Sequence, residues 1–423
     1  MERLRAAFAP GQNIRHLFIA PRSRLNSIDG LRALAVLWII LMHCLWFQSP
    51  FISPETWANL LESAPIWIIG GAYGVDVFFV ISGFLIGCLL MKEYQERGDI
   101  NIKRFYARRF LKLMPAYYAS LAIYAVLIGL NNSAIWANVL YINNFIAGEK
   151  QAMHWSWSLA IEEQFYFTFP CFLLFVFYRI RQRLSLLFML LALAVVIRGL
   201  IIYWHGIYAP IPWSLGVTDR RFLDWAEYEY IKPYTRFGCL ICGVIAAHLH
   251  INNRLASFFT QRRKMAAAAF LASLLVMALI VMAPVHVASP RWQPVAGFLF
   301  LTTYRYVLGV ATTYLMLYSI YPSGALSSMV TRFLSLRVWY TIAQLAYSAY
   351  LLHPIVFVTA YSFIAPRGID SLPLIVYYVT LPILSLIAAA LMYIFIERPF
   401  MNLREVRRGQ PKAVAATAVA SST

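Results

Sequence analysis

The sequence predicts an all-α, polytopic integral membrane protein with about ten transmembrane helices and one short re-entrant or interfacial segment. Three observations carry this. Of the 423 residues, 61% are hydrophobic and 13% charged, whereas soluble domains are roughly half apolar and about a quarter charged. Mean hydropathy is +0.65. Apolar stretches near twenty residues long recur along the chain, each able to cross a hydrocarbon core about 30 Å thick. They are continuous rather than alternating, and lipid leaves no partner for open backbone groups, so helices are favoured over a barrel.

The spans fall near 28–47, 73–91, 111–130, 157–178, 184–204, 235–250, 266–284, 299–320, 339–363 and 372–396. The stretch 131–147, NNSAIWANVLYINNFIA, is apolar but short and broken by asparagines, which suits a re-entrant or interfacial piece rather than a crossing. Charge supports that choice. With the N-terminus inside, 26 of the 36 Lys and Arg fall in inner segments, 6 in outer segments, and Arg32, Arg198, Arg236 and Arg305 lie within spans. An eleventh crossing would reverse every later loop and weaken this asymmetry. Both termini are therefore expected on the cytoplasmic side of a cell membrane. The chain divides into a basic cytoplasmic arm (1–27), a membrane body (28–400) and a cytoplasmic tail (401–423) that ends in the small residues AVAATAVASST and is expected to be disordered. The arm has no apolar core long enough for a cleavable signal peptide. The long outer segment 205–234 carries Asp219, Asp224, Glu227 and Glu229.

The net charge of +18 would suit nucleic acid binding in a soluble protein, but here it follows from the cytoplasmic loops, so no nucleic acid partner is expected. All five cysteines lie in apolar segments and read as buried free thiols. Cys239 and Cys242 have metal-ligand spacing, but no second Cys or His pair does, so no metal is expected.

Intramembrane ionisable groups cost about 2.5–3.5 kcal/mol each on insertion scales and are functional candidates by default. Span 1, IDGLRALAVLWIILMHCLWF, holds Asp29, Arg32 and His43. Eleven helical residues make three turns plus about 20°, so Arg32 and His43 share one face roughly 16 Å apart. Asp29 can pair with Arg32 one turn away. A cytoplasmic cofactor with phosphates and a long arm would put its phosphates on Arg32 and its reactive end near His43, whose imidazole suits a general base. A snorkelling arginine and a packing histidine are the plain alternative. In span 4, WSWSLAIEEQFYFTFP, adjacent Glu162 and Glu163 cannot share a face, so one turns inward, and spacing does not say which. Before span 3, Arg104, Arg108 and Lys112 form a basic helical stripe with Arg109 beside it, suited to phosphate or to lipid headgroups. In span 2, Gly83 and Gly87 suit close helix packing. In span 9, His353-Pro354 implies a kink and offers a second histidine, for packing or gating.

Together and in order, SIDGLRALAVLWIILMH, GVDVFFVISGFLI, RFYARRFLKLMPAYY, WSLAIEEQFYF, AYSAYLLHPIV and IERPF resemble the acyltransferase 3 family of membrane O-acyltransferases, over residues 27 to 400. The resemblance implies transfer of an acyl group, commonly acetyl, from cytoplasmic acyl-CoA to a hydroxyl of an extracytoplasmic or lipid-linked carbohydrate, such as O-antigen (lipopolysaccharide), capsule or peptidoglycan. It marks Arg32 and His43 as essential, Arg108 and Arg109 as donor-binding, and Glu162 or Glu163 as the family's glutamate. Arg236 matches a family arginine, while Gly238 stands where many relatives carry an acidic residue. Some relatives have a fused C-terminal hydrolase-like domain, and its absence from this chain implies action alone or with a separate extracytoplasmic transferase. His43 then acts as general base on the acceptor hydroxyl or as a transient acyl carrier. The rival function is a proton-coupled secondary transporter relaying through the same Arg, His and Glu residues. Such proteins often show repeated halves, and 28–204 and 235–396 share no motif. An inactive partner that keeps only the fold is the third reading.

Overall fold

The computed structural model describes residues 7–19, 25–130, 134–207, 220–282, 293–367 and 376–406. Among these, ten helices are long and apolar enough to cross a membrane, one on each expected span. They are α1 (Asn26–Trp46), α2 (Gly74–Arg97), α3 (Ile102–Leu127), α4 (Trp157–Phe175) and α5 (Arg183–Trp204). There follow α6 (Pro233–Ile251), α7 (Arg263–Met282), α8 (Gln293–Ile320), α9 (Arg337–Ile364) and α10 (Leu381–Met392), which is the central part of the tenth span, Tyr378–Leu403. The chain is an all-α polytopic membrane protein.

Local chemistry sets the boundaries. Gly98, at φ 72°, ends α2 in the left-handed conformation that glycine adopts without cost. The Asn101 side chain then accepts a 2.9 Å hydrogen bond from the Arg104 backbone N–H and starts α3. The basic stripe expected ahead of span 3 is thus the first three turns of that same helix. Pro233 opens α6 at the position where a missing N–H costs nothing.

Two close contacts organise the bundle. α2 packs most extensively on α6, and α1 on α9. A Cβ added at Gly83 would collide with the Leu240 backbone, and one at Gly243 with Val80 and Phe84. The glycines of α2 therefore serve close packing, as expected. Gly238 similarly leaves room for the Tyr306 ring. Outward-facing Leu193, Leu200, Leu271 and Leu275 leave α5 and α7 apolar where lipid would meet them.

The segment after α3 makes no crossing. Ile135–Val139 is a short helix, and Asn143–Phe145 a single tight turn. Asn138, Asn143 and Asn144 face inward: Asn138 Nδ2 bonds the Ala152 carbonyl at 2.8 Å, and Asn143 Nδ2 the Ser156 hydroxyl at 3.2 Å.

Several expectations meet the structure differently. The acidic segment 205–234 is described except for 208–219, which includes Asp219, and its Glu229 is buried rather than solvent-facing. α10 continues through a π-turn (Tyr393–Glu397) into a helix, Arg398–Val406, so the first residues of the expected tail are helical, while 407–423 lie outside the described residues. The arm contains the helix Pro10–Phe18, whose Asn13 bonds the Ile394 carbonyl at 3.0 Å and ties it to the π-turn that follows α10.

Candidate active site

α1 presents Arg32 near its start and His43 near its end. Asp29 Oδ1 lies 3.3 Å from Arg32 Nη1, the expected pairing. The far end of α1 is clasped to α9 by a 2.6 Å bond from the Tyr361 hydroxyl to the Cys44 carbonyl. That clasp sets His43 against His353, with Nδ1 to Nε2 at 2.7 Å and the rings stacked 4.9 Å apart at 11°.

His353 is fully buried, and its Nδ1 lies 2.8 Å from the Ala349 carbonyl. A carbonyl only accepts, so in the neutral pair His353 carries its proton on Nδ1 and accepts at Nε2. His43 must then donate from Nδ1, which leaves His43 Nε2 as an unprotonated nitrogen. The hydrogen-bond chain therefore prepares a base, with its tautomer set from behind. Pro354 contributes locally, because without an N–H it cannot bond the Tyr350 carbonyl and the helix is loosened beside His353.

At the Arg32 end lies a cavity of about 200 Å³, with Arg32, Arg109, Lys112, Glu162 and Glu397 among the ionisable residues of its lining. Glu162 is the inward glutamate: it accepts from Ser82 Oγ at 2.8 Å and from the Tyr166 hydroxyl at 3.2 Å. The Arg109 guanidinium lies over the Tyr166 ring, 4.6 Å from its centre. Glu163, the next residue, lies within electrostatic reach both of Arg109 and of Tyr117, Tyr141 and Tyr347. Arg108 lines a neighbouring pocket with Arg104, Arg109 and Lys112, and its buried Nη2 has no hydrogen-bond partner among the described residues. The cationic end can hold an anionic group, with a bidentate guanidinium as the strongest donor.

Two features escaped sequence reading. Glu397, from the IERPF motif, is buried at the end of the π-turn and accepts from Ser348 Oγ at 2.7 Å. π-turns often mark functional positions. Secondly, Asp76 accepts a 2.7 Å hydrogen bond from Arg305 Nη1 and forms an ion pair with Arg236 Nη2 at 3.3 Å, and Glu229 pairs with Arg198 and with Arg305. Arg236 thus has Asp76 as its carboxylate. The insertion cost of three arginines inside spans was the available signal.

An all-α bundle holding a paired histidine at one end and a cationic cavity at the other defines the class: a polytopic membrane protein with an internal polar site. The chain belongs to the acyltransferase 3 family, described as an acyltransferase domain, whose profile matches residues 25–394. It is 29% identical over 392 residues to a protein of Staphylococcus aureus (strain COL) provisionally named an O-acetyltransferase, a match covering 88% of this chain and 56% of that one. It is 28% identical over 402 residues to O-acetyltransferase OatA of Staphylococcus aureus (strain NCTC 8325 / PS 47), covering 89% and 57%. The chain spans about half the length of these curated relatives. No solved structure matches it significantly.

Proposed function

We propose that the protein is a membrane O-acyltransferase that moves an acyl group, acetyl in the first instance, from acyl-CoA to a hydroxyl of an extracytoplasmic or lipid-linked glycan. The observation that carries this reading is the His43–His353 hydrogen bond, on the helix whose other end brings Arg32 to the cationic cavity. The names of the relatives supply the acetyl group.

The Arg32 end faces the cytoplasm in this reading, supported by the concentration of Lys and Arg in the segments assigned inside. Arg32, Arg108 and Arg109 hold the phosphates of CoA, and its arm extends through the cavity toward His43. His43 Nε2 takes the proton of the acceptor hydroxyl as its oxygen attacks the thioester carbonyl. The C–O bond forms, the C–S bond breaks, and the proton passes to the departing sulfur. His353 keeps the tautomer and bears part of the imidazolium charge through Nδ1. Glu162 orients the donor arm or the acceptor through the Ser82–Tyr166 network. A separate transferase on the outer side is the partner this reading allows.

The test is O-acyl analysis of surface glycans in cells with and without the gene, paired with acetyl-CoA consumption by reconstituted protein given an envelope glycan fraction. Loss of O-acyl groups and acceptor-dependent consumption support the reading. Unchanged glycan acylation with failed uptake of a solute supports the transporter instead.

A further inference from the structure

The cavity stops short of the histidine pair. Its lining contains Arg32, Ser158 and Tyr350, but neither His43 nor His353. Tyr350 is the residue that borders both, since it lines the cavity and its ring lies 5.8 Å from that of His353. It is bolted in place from the opposite wall. The Ser158 and Tyr350 hydroxyls lie 2.6 Å apart, and the Tyr350 hydroxyl donates to the Trp155 carbonyl at 2.8 Å. The Trp155 indole donates in return to the Leu351 carbonyl at 3.2 Å. The turn His154–Ser156 and helix α9 are thus clasped at two successive residues of α9.

That turn is held under strain. It is entered through Met153, a buried, non-glycine residue at φ 38°, in a conformation that costs about 1–3 kcal/mol and persists only when its surroundings impose it. The turn also keeps one solvent-accessible side chain. His154 is exposed, while Trp155 and Ser156 are buried. The His154 ring lies 5.3 Å from Phe47, which lies 5.3 Å edge-on from His43. A ligand touching His154 therefore touches the element to which Tyr350 is bolted, on the histidine side of the barrier.

We propose that the Tyr350–Ser158–Trp155 clasp is a barrier that keeps a bound donor thioester from His43 until an acceptor glycan at His154 moves the strained turn, so that the acyl group passes to the glycan rather than to water. The inference rests on the functional reading above and deepens it. Without the barrier, water can take the acceptor's place: its oxygen attacks the carbonyl, the C–S bond breaks, His43 moves the proton to sulfur, and a free carboxylic acid and CoA leave. Exclusion of water from a closed site is a recognised means of suppressing such hydrolysis.

The experiment measures CoA thiol release from saturating acetyl-CoA by full-length protein in proteoliposomes, with no acceptor present. Tyr350→Ala is expected to raise this release about tenfold or more over wild type, and Ser158→Ala, which removes one bolt and leaves the ring, by a smaller factor. A misfolded variant loses release rather than gaining it, so a gain cannot come from unfolding. Release no faster than wild type in both variants overturns the barrier. Binding of a non-hydrolysable acetyl-CoA thioether to wild-type protein is measured alongside. If wild type binds none, the acyltransferase reading falls and the barrier with it, whereas bound donor with unchanged release removes the barrier alone.

Discussion

His43 and His353, 310 residues apart in the chain, share a 2.7 Å hydrogen bond between stacked rings. The Ala349 carbonyl behind His353 gives that bond its direction. Each imidazole therefore has a different task. His43 offers a free nitrogen, and His353 determines which nitrogen that is.

This asymmetry predicts different losses. His43→Ala removes the base and should lower the transfer rate about 10²–10⁴-fold, the usual worth of a positioned proton acceptor. His353→Gln keeps a polar side chain on α9 but releases the tautomer, and should cost about ten- to a hundredfold, as outer partners of a working imidazole do. Initial rates of acetyl transfer by reconstituted variants decide this. Equal losses would make His353 a second reacting group, and normal activity in His43→Ala would end this account of the chemistry.

The cationic end should act on binding. Arg32 and Arg109 line one cavity with Glu162, and Arg109 rests on the Tyr166 ring. Arg109→Gln removes a charge-assisted contact worth about 1.5–3 kcal/mol, so KM for acetyl-CoA should rise about ten- to a hundredfold with a smaller change in kcat. Arg109→Lys should recover only part, because an ammonium lacks the planar fork and stacks less well on an aromatic ring. A fall in kcat at unchanged KM would place Arg109 in the chemical step instead.

Much of this was legible in the sequence, for a definite reason. The hydrocarbon layer imposes length and apolarity on every crossing, so all ten spans could be read, and the cost of burying charge singled out Arg32, His43 and the two glutamates. Helical geometry put Arg32 and His43 on one face and made Glu162 and Glu163 diverge. It could not say that Glu162 is the one facing Ser82 and Tyr166, because that depends on the rotation of α4 against α2. Nor could periodicity within α1 reveal His353, whose approach depends on two helices meeting. Glu397 was hidden by a π-turn, which shifts the helical register by a residue and leaves no periodic trace.

The orientation of the spans gives a third prediction. Charge asymmetry puts Lys103 and Arg104 inside and Lys150 outside, on opposite sides of α3. Single cysteines at these positions, on a background where the five native cysteines are replaced, should differ in labelling of intact cells by a membrane-impermeant maleimide: Lys150→Cys reacts, Lys103→Cys does not. The reverse pattern would turn the donor end outward and make cytoplasmic acyl-CoA impossible as the donor.

Two ion pairs on α2 make opposite predictions about stability. Lys92 and Glu96 lie 3.8 Å apart with side chains 68% and 58% exposed, and such pairs are worth about 0–1 kcal/mol because water and salt screen them. Asp76, near the other end of the same helix, is fully buried between Arg236 and Arg305. Asp76→Ala leaves both guanidiniums without that carboxylate where water cannot replace it, and breaking a buried pair costs about 3–5 kcal/mol. Against a typical total stability of about 5–15 kcal/mol, that is enough to lower the Tm in detergent sharply or to abolish membrane accumulation. Glu96→Gln should leave both unchanged. Asp76→Asn keeps the shape and should fall between them, since an amide oxygen still accepts from one guanidinium but supplies no charge. An Asp76→Ala protein that melts like wild type would mean that Glu229 alone balances the three arginines, and would free Asp76 for a role in transfer.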